Sequence, residues 1–129
     1  MRLIIAGSRT ITDINVVLLA LVDSGFEPTS IVSGKAPGVD TLGEEIAKML
    51  GIPVDPYPIT DKDWQIYGNG AGPIRNTEMA KNADAVLVIW DGKSTGTKDM
   101  IAKARKFGLK SYVHMVEEEK PTETVRIDL

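Results

Sequence analysis

Three stretches of this chain share one design: an apolar run, a glycine-punctuated turn and the start of a helix. Leu3-Ile4-Ile5-Ala6 leads into Gly7-Ser8-Arg9-Thr10, Ile31-Val32-Ser33 into Gly34-Lys35-Ala36-Pro37-Gly38-Val39-Asp40, and Ala85 to Trp90 into Asp91-Gly92-Lys93-Ser94-Thr95-Gly96-Thr97. A strand, a tight loop and a helix N-terminus in succession aim free backbone N–H groups at one point, which binds an anion without a metal. The chemistry expected of Gly7, Ser8, Arg9, Ser33, Gly34, Gly38, Asp40, Asp91, Gly92, Ser94, Thr95, Gly96 and Thr97 is that of a phosphate cradle.

Charged side chains near these turns extend the reading. Arg75 and Asn76 follow Gly70-Ala71-Gly72-Pro73-Ile74, where a rigid helix start would let the guanidinium grip a phosphate with two parallel N–H groups. Arg9 suits a phosphate or a surface ion pair equally well. Asp40 could accept a ribose hydroxyl, whereas Lys35 reads as a solvated side chain. Trp64 and Tyr67 could stack on a base or simply pin a loop to the body of the protein.

Two familiar phosphate motifs fail on spacing. Gly92-Lys93-Ser94-Thr95 looks like the end of a P-loop, but the glycine required five positions earlier is Leu87, inside an apolar run. The first turn has one glycine where a dinucleotide fingerprint needs three. His114 is the only histidine and there is no cysteine, so thiolate metal sites and disulfides are excluded, and His114 is expected to be a packed, hydrogen-bonded strand residue. No metal and no cofactor is expected.

Positioning these turns requires a particular kind of body. The 129 residues are 43% hydrophobic and 26% charged, values of a globular chain that can bury a core as one domain. No apolar run approaches a membrane span and none at the N-terminus suits a signal peptide, so a soluble, cytoplasmic protein with no membrane partner is expected. A net charge of -3 disfavours a broad grip on nucleic-acid phosphates.

Periodicity predicts a strand over residues 2–6, a helix capped by Thr12 or Asp13 and ending at Ser24-Gly25, a strand at Ser30 to Ser33 and a helix from Val39 to Leu50. Val54 to Ile59 reads as an edge strand, because Pro56 and Pro58 remove two ladder donors. Asp61 to Gly72 reads as a long irregular loop, and Pro73 as the first turn of a helix through Ala83. A central strand at Ala85 to Trp90, a helix from Gly96 to Phe107 and a strand at Ser111 to Val116 follow. Met49, Met79 and Met100 fall on helix faces that should pack on the sheet. Residues 117–129 read as an acidic linker and a tail or edge strand. The alternation predicts a three-layer α/β sandwich with a mostly parallel sheet of about five strands and helices on both faces.

Gly7-Ser8-Arg9, Ser33 to Asp40, Ala71 to Asn76 and Trp90 to Thr97, in that order, resemble the YspA-like family of the SLOG superfamily over about residues 1–116. That superfamily also contains the LONELY GUY cytokinin-activating phosphoribohydrolases and the DNA-processing protein A type domain. The resemblance implies a Rossmann-like domain over residues 1–116 that binds nucleotides or nucleotide-derived molecules, usually as a homo-oligomer. The phosphoribohydrolases carry a G-G-x-G-T-x-x-E loop, and matching on Gly96-Thr97 puts Met100 where their glutamate stands. Asp99 is adjacent, but one residue along a helix turns a side chain by about 100°.

A binder of a nucleotide signal, sensing or sequestering it, is therefore expected in preference to an enzyme. The alternative is an N-glycosidic hydrolase acting on a nucleoside monophosphate, with Arg75, Asp40 and Asp91 as candidate catalytic residues. A single-stranded nucleic-acid-binding protein comes third, since the acidic balance opposes it.

Overall fold

The structure is a computed structural model and describes residues 1–117. The expectations for the linker and tail beyond Glu117 lie outside the described residues. Five parallel strands, β1 (Arg2–Gly7), β2 (Ser30–Ser33), β3 (Val54–Pro56), β4 (Ala85–Trp90) and β5 (Lys110–Met115), form one sheet in the order β3-β2-β1-β4-β5. The connections are α1 (Ile14–Ser24), α2 (Val39–Leu50), α3 (Asp61–Tyr67), α4 (Ala71–Lys81) and α5 (Thr95–Lys106). This is the Rossmann-like α/β architecture.

Strand residues alternate between the two faces, and both faces are apolar. Leu3, Ile5, Ile31, Leu87 and Ile89 pack on Val17 and Leu21 of α1 and Val39, Leu42 and Ile46 of α2. On the other face, Ile4, Ala6, Val32, Val86 and Val88 meet Met79 and Ala80 of α4 and Met100 and Ala104 of α5. Burial on both sides explains why β4 reads as an unbroken apolar run.

The helix ends follow local chemistry. Asp13 caps α1 by accepting from the N–H of Asn15 at 2.9 Å, and Gly25 ends it at φ 71°. Ser94 caps α5, and Gly51 ends α2 in the same left-handed conformation as Gly25.

Several expectations need correction. The irregular loop over 61–72 is instead α3, a 3-10 turn at Gly68–Gly70 and the first turn of α4. Thr60 and Asp63 close a reciprocal capping box that starts α3 without an apolar stripe, and none of its residues is buried. α4 begins at Ala71, so Pro73, its third residue, lies in the first turn as expected, and Arg75 is its fifth residue. β3 is the expected edge strand but stops at Pro56; β4 is interior as expected, paired with β1 and β5, and β1 is the middle strand. Met79 and Met100 pack on the sheet, but Met49 is exposed. His114 sits half-buried on the edge strand β5 and its imidazole makes no hydrogen bond among the described residues, so it is not the bonded core histidine expected.

Gly7 closes β1 where it crosses β4 most tightly. A Cβ there would lie 2.0 Å from the backbone oxygen of Ile89, and neither strand can yield easily. Gly7→Ala should therefore lose about 3 kcal/mol or more in urea unfolding. Gly72→Ala, where an added Cβ meets nothing within 4 Å, should be neutral or gain up to about 1 kcal/mol from reduced backbone freedom.

Candidate functional site

The strand order reverses at β1 and β4, and the loops leaving their carboxyl ends diverge over a crevice, the usual ligand position in an open parallel sheet. Its walls come from Gly7 and Arg9 after β1, Ala36 and Asp40 after β2, Arg75, Asn76 and Met79 of α4, and Ser94, Gly96, Thr97 and Met100 at the start of α5. The space is about 60 Å³. A water needs only about 10–15 Å³ of such space, so the crevice has room for a small polyatomic anion such as phosphate.

Arg75 ties the walls together. Its Nη1 donates to the carbonyl of Gly34 at 2.6 Å and its Nε to Oδ1 of Asn76 at 3.2 Å. Asn76 is buried and donates through Nδ2 to the carbonyl of Gly96 at 3.3 Å and to Oδ2 of Asp99 at 3.0 Å. One dipeptide thus holds the loops after β2 and β4 against α4. A Cβ on Gly34 would come within 2.7 Å of Nη1 of Arg75 and 2.8 Å of Oδ2 of Asp40, so glycine is what leaves room for both side chains over the backbone.

Asp40 is 5% exposed. Its Oδ2 accepts from the N–H of Ala36 at 3.3 Å. Burial pushes the carboxyl up to about 6; the Ala36 N–H and then the Arg75 charge oppose that rise. Burial likewise lowers Arg75 from its usual range, against the pull of Asp40 and in the same direction as repulsion from Arg9. Arg9 is exposed at the mouth of the crevice and makes no ion pair among the described residues.

The turn residues divide into lining and framework. Gly7, Arg9, Asp40, Arg75, Asn76, Ser94, Gly96 and Thr97 line the crevice, whereas Ser8, Ser33, Gly34, Gly38 and Asp91 build the loops around it and Gly92 and Thr95 are exposed at their surface. Ser8 is buried and its Oγ accepts from the N–H of Asp91 at 3.0 Å, joining the first loop to the third. Ser33 Oγ donates to Glu44, and Lys35, expected to be free in solvent, pairs with the same carboxylate at 2.7 Å. Gly38 has φ 78°, and a Cβ there would strike the backbone of Ser8 and Arg9.

Asp91 is committed to its own turn. Its Oδ1 accepts from Ser94 N–H at 2.9 Å and Lys93 N–H at 2.8 Å, bonds that hold its carboxyl below the usual carboxylate range. This carboxylate shapes the loop and presents no basic oxygen to the crevice. Ser94 Oγ accepts from Thr97, and the N–H groups of Thr95 and Gly96 in the first turn of α5 have no partner among the described residues. Those donors and Arg75 make the crevice attractive to an anion.

Met100 is 1% exposed and forms part of the floor, while Asp99 is held outside it by Asn76 and Lys103. Ala36 and Met79 also line the crevice without having been singled out as site residues, since nothing in an alanine or a helical methionine announces a site. Among the described residues no three histidine, aspartate or glutamate side chains gather into a metal site, and no helix is long and apolar enough to cross a membrane.

No protein-family model matches the chain. It is 33% identical over 116 residues to the Gene 61 protein of Mycobacterium phage D29, covering 84% of this chain and 91% of that protein. Among solved structures, DNA processing protein A (DprA) from Streptococcus pneumoniae overlays with a TM-score of 0.66 at 19% identity. The overlay takes in 87% of this chain but only 49% of DprA, so the chain spans about half that protein's length. This likeness shows the fold alone, a Rossmann-like α/β domain. The C-terminal domain of PF1911 hydrogenase from Pyrococcus furiosus overlays more loosely, at a TM-score of 0.46 and 16% identity over 88% of this chain and 90% of that one.

The buried carboxylate gives the site a pH signature. Because folding raises the Asp40 pKa from 3.8 to about 6, the folded protein holds a proton that the unfolded chain releases. The contribution to stability is therefore full below pH 4 and is lost as pH rises through 6, by roughly 3 kcal/mol. Urea unfolding from pH 4 to 7 should show the wild type losing about this much relative to Asp40→Asn, which cannot ionise.

Proposed function

The chain belongs to the family of the Gene 61 protein of Mycobacterium phage D29, and we propose that it binds a nucleotide or nucleotide-derived small molecule, phosphate inward, in the crevice around Arg75. The observation that carries this reading is the junction itself. A partly buried guanidinium faces a space that suits a phosphate, beside a helix N-terminus whose first N–H groups have no partner among the described residues. Arg75 has five N–H donors and uses two on Gly34 and Asn76, leaving three for a ligand.

The reading includes a place for the chain in the YspA-like branch of the SLOG proteins, supported by the four ordered motifs. It also includes one domain over residues 1–116, working in the cytoplasm and as a homo-oligomer. Sensing or sequestering suits the site better than catalysis, because Met100 can neither take a proton nor stabilise a cation. One feature favours the enzyme reading: Asp40, raised to about 6 and beside Arg75, is poised near neutrality as a general acid or base. In that N-glycosidic hydrolase, Asp40 is the catalytic carboxylate and Asp91 is not. DprA is a DNA processing protein by name, so a single-stranded oligonucleotide belongs among the ligands tried.

Thermal shift across nucleoside monophosphates, nucleotide derivatives and a short oligonucleotide should show stabilisation by the small ligands. Calorimetry with the strongest of them should then find Arg75→Ala weaker by about 2 to 5 kcal/mol and Arg75→Lys only partly competent. Since Arg75 also bonds the Gly34 carbonyl, the alanine variant should lose about 1 to 2 kcal/mol of ligand-free stability as well. Equal affinities in all three proteins would remove Arg75 from the site. Release of free base would establish the hydrolase, and salt-sensitive binding of the oligonucleotide alone would overturn both small-molecule readings.

A further inference from the structure

A second hollow of about 230 Å³ lies beside the crevice, on the adjoining side of α4. Arg75 lines both. Ala71, Ile74 and Glu78 share a helix face with it toward the second hollow, while Asn76 and Met79 turn toward the first. Neither space alone reaches the roughly 300 Å³ at the lower end of small-molecule sites, and together they approach it.

The lining of the second hollow suits a flat ring with a polar edge. Tyr57, Tyr67 and Ile74 supply aromatic and apolar surface, and Tyr67 and Ile74 are large side chains left exposed. Two carboxylates border it. Asp63 spends Oδ2 on the N–H and hydroxyl of Thr60. Glu78 is available: its nearest cation, Lys81, is 3.8 Å away, beyond hydrogen-bond length, and both side chains are more than half exposed.

We infer that this hollow is the base subsite of the ligand whose phosphate occupies the Arg75 crevice, and that Glu78 selects guanine over adenine. The inference rests on the phosphate-inward reading above. A guanine edge presents the ring N1–H and the exocyclic amino group side by side, and the two oxygens of a carboxylate can accept both. Adenine offers an amino donor next to a ring-nitrogen acceptor, which a carboxylate repels. Tyr67 stacks on the ring, a contact that tolerates any base, so Tyr67 gives affinity and Glu78 gives choice.

Calorimetric titration with guanosine, inosine and adenosine 5'-monophosphates and with ribose 5-phosphate tests this. The wild type should bind the guanosine compound at least about tenfold more tightly than the adenosine one, with the inosine compound between them. Glu78→Gln, whose amide both donates and accepts, should abolish or invert the preference. Tyr67→Ala should weaken all three nucleotides, and both variants should leave ribose 5-phosphate affinity unchanged. The two positions are exposed, and far-UV circular dichroism confirms that each variant folds. If ribose 5-phosphate binds but all bases are equivalent, or adenosine is preferred, the subsite assignment is overturned while the phosphate crevice stands. If none of the four binds, both readings are overturned.

Discussion

A single cation on α4 reaches across the top of the sheet to the carbonyl that ends β2, and the arrangement of the loops depends on it. The 2.6 Å bond from Arg75 to Gly34 requires a glycine, because any side chain there would displace either the guanidinium or the neighbouring carboxylate of Asp40. Arg75 and Asp40 both lie against the backbone of Gly34, where a Cβ would meet each of them, so the three residues are constrained together. Asn76 extends the unit to the loop after β4, and Ser8 closes it from β1.

The parallel sheet is what brings these loops together. With every strand running the same way, each carboxyl end opens on one edge, and the reversal of order at β1 and β4 parts the loops there. The apolar faces on both sides fix the strands, so the polar atoms at the edge are set by a rigid base. Burial raises Asp40 toward neutrality and disfavours it as an anion, which reduces its competition with a ligand phosphate for Arg75. The same feature makes Asp40 the one carboxylate in the crevice suited to proton transfer.

Much of the scaffold was legible in the sequence because its signals are local. The bounds of β2, α2 and β4 follow from apolar runs closed by glycine or aspartate, and the prolines at 56 and 58 marked β3 as an edge. The stretch from Asp61 to Gly72 was misread because α3 buries nothing, so periodicity is silent, and its start depends on a capping box whose third residue is aspartate rather than the commoner glutamate. The glycines at 68, 70 and 72 also read as loop residues, though Gly68 and Gly70 lie in the 3-10 turn and Gly72 in α4. At the site, residue types announced an anion cradle, but not which residues face it. Asp91 reads as a candidate base until its oxygen is seen accepting two N–H bonds from its own loop, and the burial of Asp40 depends on long-range packing that no spacing reveals.

The central claim is that one crevice, closed by Arg75 and open to the start of α5, receives the phosphate. Amide nitrogen-proton NMR spectra of the labelled protein during titration with ribose 5-phosphate test it most directly, since that probe carries the phosphate without a base. The account predicts the largest saturable shifts at the amides of Gly7, Ala36, Gly96 and Thr97 and at the side-chain Nε–H of Arg75. Saturable shifts confined to the separate hollow bordered by Thr10, Asp13 and Val116, with those five signals unmoved, would contradict it.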